Sequence, residues 1–121
     1  MRDEIDIDRR LAALGELGPG WLDGSGAAIP RPTLVRLATL LRDAEGQGLP
    51  RPYLYPTPEG QIQAEWSFVG AEVSARFDDD AGFISCVGVH TQTGAQRDED
   101  IDVRDARGVW RLMAFVARFT P

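Results

Sequence analysis

Asp78-Asp79-Asp80 is the stretch that first invites chemistry, because three adjacent carboxylates offer the oxygen ligands that magnesium and calcium prefer. Successive strand-end residues point to opposite sides, however, and an acidic turn closed by Gly82 is ordinary hairpin chemistry. The turn is therefore the stronger reading. Glu65 and Glu72 fall in two stretches that alternate like neighbouring antiparallel strands, so they form a second candidate carboxylate pair. With the aspartates and a divalent cation they would make a small metal-dependent or ligand-binding enzyme. Glycosidase-like work would also need a sugar cleft, and Arg76 on the same face is the simpler partner for either glutamate. Glu65 is next to Trp66, but alternation puts the two on opposite faces, so the indole does not desolvate the carboxylate.

His90 is the only histidine and Cys86 the only cysteine. A nucleophile–base system would have to form around His90. Four strand residues place Cys86 on the same face at about 13 Å, too far for proton transfer, so His90 reads as a surface or capping residue at a strand end. One cysteine and one histidine cannot make a metal–thiolate cluster. The glycine-rich stretch Trp21 to Pro30 has no strand before it and no lysine after it, and its spacing matches neither a dinucleotide fingerprint nor a P-loop. No catalytic, metal or cofactor residue is assigned, and no cofactor is implied.

Charge is more informative than motif. All 13 basic residues are arginine, and the formal net charge is -6. Between positions 78 and 105 lie eight acids (Asp78, Asp79, Asp80, Asp98, Glu99, Asp100, Asp102 and Asp105) against Arg97 and Arg104, which gives -6. The other 11 acids and 11 arginines cancel. The negative field thus comes from one segment, which argues against nucleic acid as a ligand there and for a basic partner. Candidate partner-binding residues are Asp98, Glu99, Asp100 and Asp102 in this segment, with Trp110, Arg111 and Arg118 in the helix after it. A lone cysteine in an apolar run fits a reducing compartment. The charged opening Met1-Arg2-Asp3-Glu4 and the lack of any span-length apolar window point to a cytoplasmic chain with no membrane partner.

The elements that must position these residues follow from periodicity. At 121 residues, 1–121 reads as a single domain able to bury roughly two thirds of its unfolded surface. It divides into an N-terminal helix or arm (1–20), a loop and helix (21–50), a β-meander (51–90), and an acidic segment with a C-terminal helix (98–121). Ile7, Leu11, Leu14 and Leu17 share a helical face over residues 5–17, ended by Gly18-Pro19-Gly20. Trp21 pins the loop that follows. Leu34, Leu37, Ala38, Leu41 and Ala44 repeat at helical spacing over 33–44, with Pro32 at the start. Leu49-Pro50-Arg51-Pro52 forces an extended entry into Tyr53-Leu54-Tyr55, whose flanking prolines suit a sheet edge.

Thr57-Pro58-Glu59-Gly60 then turns into Ile62, Ala64, Trp66 and Phe68, which alternate with Gln63, Glu65 and Ser67. A slip of one residue would bury the polar set. Val69-Gly70 leads to a third strand, Ala71 to Phe77, and Phe83 to His90 forms a fourth. Its Phe83, Ser85, Val87 and Val89 lie opposite Ile84, Cys86 and Gly88, so both faces are partly apolar, as in a central strand or one covered by helices. Thr91 to Arg97 reads as a polar loop, and Ile101 and Val103 extend the acidic run into a fifth strand. Asp102 or Asp105 is positioned to cap a helix over 106–119, whose apolar arc is wide enough to be the central packing element or to await a partner. The fold class is α+β: an antiparallel four- to five-stranded meander with two or three helices packed mainly on one face.

Trp21-x-Asp23-Gly24-x-Gly26-Ala27, the proline-started helix, and Pro56-Thr57-Pro58-Glu59-Gly60-x-Ile62-Gln63-x-Glu65-Trp66 together resemble a small uncharacterised bacterial family built on the same loop, helix and hairpin. The resemblance covers residues 21–77 and implies the fold but no known activity. Three roles are consistent with the residues. The leading one is a protein-binding module, antitoxin-like or an accessory subunit to a neighbouring gene product, on the acidic segment and last helix. The others are the metal-dependent enzyme above and a homodimer joined through the last helix or an edge strand.

Overall fold

The computed structural model describes residues 7–78, 82–102 and 104–121. Its elements, in order, are α1 (Ile7–Gly15), α2 (Arg31–Gly46), β1 (Tyr53–Pro56), β2 (Ile62–Phe68), β3 (Ala71–Asp78), β4 (Phe83–His90), β5 (Gln96–Asp102) and α3 (Gly108–Ala117). The five strands form one antiparallel meander in the order β1-β2-β3-β4-β5. This is the α+β architecture expected.

The register explains which face is buried. Leu54, Ala64, Ala75, Cys86 and Glu99 lie side by side across the sheet, as do Trp66, Val73, Gly88 and Arg97, or Phe77, Ile84 and Ile101. Through the first four strands this face is almost wholly apolar, and the helices cover it. α1 packs on β1 and α2, α2 on α3, and α3 on β4 and β5. Ile7, Leu11 and Leu14 of α1, Leu37, Leu41 and Ala44 of α2, and Leu112, Phe115 and Val116 of α3 complete the core. Two partly buried contacts, one from an indole and one from a guanidinium, secure its margins. Trp66 Nε1–H donates to the Pro50 carbonyl at 2.7 Å, and Arg10 Nε–H donates to the Leu54 carbonyl at 3.0 Å, tying α1 to the edge strand.

The loop after α1 is a structural clasp. Trp21 Nε1–H closes it on the Ala27 carbonyl at 2.9 Å, and the backbone N–H of Ala27 reaches the Pro58 carbonyl in the β1–β2 turn at 2.8 Å. Gly60, at φ +85°, lies against the Ala28 carbonyl so closely that a Cβ there would stand 2.8 Å from the oxygen. Loop and hairpin turn, about 30 residues apart in sequence, therefore form one packed unit.

Three expectations need correction. α2 ends at Gly46, where its helical spacing stops in the sequence, but starts at Arg31 rather than 33, because Pro30 and Pro32 suit the non-helical cap and a first turn whose N–H groups have no intrahelical acceptor; Thr33 joins its buried face. β5 begins at Gln96, inside what reads as a polar loop, since backbone pairing with β4 does not need apolar side chains. α3 is not capped by either aspartate. Its N-cap is Arg107, with no side-chain cap bond. Instead Asp102 Oδ1 accepts the Arg104 N–H and Asp105 Oδ1 accepts the Arg107 N–H, both at 2.8 Å, so the two carboxylates shape the turn leading into the helix. Asp79, Asp80 and Val103 lie outside the described residues.

Candidate functional site

The helices leave the other face of the sheet uncovered. Its cross-strand rows are Tyr53–Glu65–Ser74–Val87–Asp98, Tyr55–Gln63–Arg76–Ser85–Asp100, Ser67–Glu72–Val89–Gln96, and Asp78–Phe83–Asp102. None of these residues is buried. Phe83, Val87 and Val89 make an apolar stripe along β4, interrupted by Ser85 between Phe83 and Val87, and Tyr53 and Tyr55 stand 56% and 43% exposed on β1. Around the stripe are six carboxylates (Glu65, Glu72, Asp78, Asp98, Asp100, Asp102) and one guanidinium, Arg76, a balance of -5 on the strand residues of this face.

The acidic segment splits across the sheet. Asp98, Asp100 and Asp102 point to the open face at period two, and Glu99 between them points to the covered face beside Cys86. There Arg111 of α3 donates to Glu99 Oε2 at 3.3 Å and to Asp105 Oδ2 at 3.4 Å. Glu99 and Arg111, both half-buried, thus brace the last helix against the last strand. Trp110 lies one residue away and is 64% exposed, and Arg118 is exposed at the helix end. Both belong to the helix layer, apart from the open face. The wide apolar arc of the last helix resolves the same way: Leu112, Phe115 and Val116 enter the core while Trp110 does not.

Electrostatics follow this division. The backbone N–H of Arg104, then its side chain, hold the Asp102 carboxyl below the ordinary range. The backbone N–H of Arg107 does the same for Asp105. Burial, with Glu99 and Asp100 adding to it, pushes the Cys86 thiol up to about 12. Cys86 is a core side chain in a free thiol state. His90 is exposed at the end of β4, its ring 4.8 Å from that of Phe119.

The metal reading gathers no support from this geometry. Among the described residues, no three histidine, cysteine, aspartate or glutamate side chains converge as a cation site. Glu65 and Glu72 share the open face but oppose Ser74 and Ser67 respectively, so they are diagonal neighbours. Gln63 Nε2 donates to Glu65 at 2.8 Å and Ser67 Oγ to Glu72 at 3.3 Å.

A second concavity, a groove of about 780 Å3, runs between α2 and α3. Pro32, Val35, Leu40 and Val109 line it, with Arg31, Arg36 and Asp43 at its rim. Its mixed charge specifies no one class of occupant. The open sheet face is predominantly negative, with Arg76 the one cation among its strand residues.

The open-face apolar residues are the part of the site that reading the acidic run alone misses. The signal was Phe83, Val87 and Val89 alternating with Ile84 and Cys86, which makes β4 apolar on both sides. β4 is indeed an interior strand, but helices cover only one of its faces. Among the described residues, no helix is long and apolar enough to cross a membrane. Comparison with protein-family models, curated proteins and solved structures finds no match to this chain.

Proposed function

We propose that this chain is a protein-binding module that seats a basic partner on the open face of its sheet, in the manner of an antitoxin-like protein or an accessory subunit. The observation that carries this reading is the apolar stripe of β4 set among six carboxylates and one guanidinium. A solvated antiparallel face ordinarily alternates to polar residues. This one keeps Val87 and Val89 together with exposed Phe83, Tyr53 and Tyr55, and aromatic side chains are types that anchor interfaces once desolvated. The carboxylates attract a positively charged surface, speed its encounter and repel acidic competitors, nucleic acid included.

The test compares the tagged wild-type chain with an Asp98→Arg, Asp100→Arg variant in capture from host lysate, with nuclease present. A stoichiometric basic protein held by the wild type and lost by the folded variant supports the reading. Capture unaffected by charge reversal, or no protein distinguishing the two baits, overturns it.

A further inference from the structure

Resting on the reading of the open face as a docking surface, we infer that the partner engages β5 as well, adding an extended segment with lysine or arginine at alternate positions as a sixth strand. The meander has two edge strands, β1 and β5. β1 has 4 residues and ends in Pro56, with Pro52 just before it, so prolines deprive that edge of donors. β5 has 7 residues and no proline, and among the described residues it is laddered to β4 alone. Its other side offers main-chain N–H and C=O groups of the kind that recruit an incoming strand.

The side chains specify what that strand carries. Residues directly opposite on adjacent strands lie about 4.5–5.5 Å apart. An added strand would therefore hold every second side chain beside Asp98 and Asp100 on the open face, where opposite charge stabilises and like charge does not. On the covered side its neighbours are Arg97, Glu99, already engaged by Arg111, and buried Ile101. Apolar or small residues suit that side. The same reasoning excludes a second copy pairing through β5, because each copy would set its own aspartates against those of the other. The two interactions are continuous, since the basic residues of the sixth strand would extend the row that runs from Val87 through Asp98.

The probe is a short acetylated and amidated peptide alternating lysine and valine, long enough to span β5, titrated into the isotope-labelled full chain at low ionic strength. Two controls have the same composition: one has its lysines in a block, and the other is N-methylated at every residue, which keeps charge but removes main-chain donors. Strand addition predicts that the alternating peptide binds at least tenfold tighter than either control. It also predicts slowed hydrogen exchange at the alternate β5 amides that do not bond to β4. Equal binding of the N-methylated peptide, or binding that perturbs the face without protecting β5, overturns strand addition while leaving the open-face reading in place. Failure of all three peptides to bind overturns strand addition, and the charge-reversal capture then decides the open-face reading independently.

Discussion

Phe119 lies directly over Gly88: a Cβ built on the glycine would stand 2.2 Å from the phenylalanine ring, so a side chain there requires the ring or the strand to shift. The absence of a side chain on β4 is thus what lets the C-terminal aromatic pack, with its ring also 5.5 Å from that of Phe115. Gly88→Ala should destabilise the fold by about 1–3 kcal/mol through overpacking, and Phe119→Ala by about 3–5 kcal/mol through the cavity it leaves. In urea unfolding, the double variant should lose less than the sum of the two, because alanine at 88 then occupies space the ring has vacated. Strict additivity would mean that the two residues do not share this contact.

Arg111 holds Glu99 and Asp105 together, and its loss leaves Glu99 on the covered face without its cation. Partial exposure of all three groups weakens the effect through solvent screening, so Arg111→Met should cost about 1 kcal/mol. Arg111→Lys should recover only part of it, since an ammonium cannot reach two carboxylates with the forked geometry of a guanidinium. Thermal unfolding of the three proteins at one ionic strength checks this order.

The turn into α3 makes stability sensitive to acid. Asp102 and Asp105 have folded-state values below the ordinary 3.8, so each contributes stability that is complete above that value and is lost as pH falls through the lower, folded one. Denaturant midpoints measured from neutral pH down to below the ordinary carboxylate value should decline less steeply for Asp102→Asn, Asp105→Asn than for the parent. A steeper decline in the double variant would reverse the assigned sign.

Gly60 lies in a left-handed conformation at φ +85° with a carbonyl at its back. Gly60→Ala meets both obstacles and should destabilise by at least about 1–2 kcal/mol. It should also loosen the loop of residues 20–29, seen as faster hydrogen exchange at the Ala27 amide, which bonds to Pro58 in the same turn. An unchanged melting temperature would show that the clasp yields freely.

Cys86 should be inert in the folded protein. With its thiol pushed up to about 12, only about one molecule in 10^4 is thiolate at pH 8, and the side chain is 1% exposed. A thiol reagent should modify it only on denaturation. Native-state labelling at the rate of an ordinary cysteine would mean that β4 and β5 open far more readily than their ladder implies.

Of the fold, the residues with strong periodicity were legible before any coordinates. Ile62 to Phe68 could pair in one register only, since a shift of one residue exposes Trp66, and Phe83 to His90 declared both its ends. The start of α2 and the start of β5 were not legible, because proline tolerance at a first turn and backbone pairing in a polar strand leave weak side-chain signals. The site divides in the same way. The concentration of negative charge between Asp78 and Asp105 and the shared face of Asp98 and Asp100 are written in the chain, because strand alternation is local geometry. That this face is the open one, that Glu99 turns inward to Arg111, and that Trp110 belongs to the helix layer are outcomes of the assembled fold. Those outcomes depend on where α3 packs, and packing is settled by contacts between residues far apart in the chain.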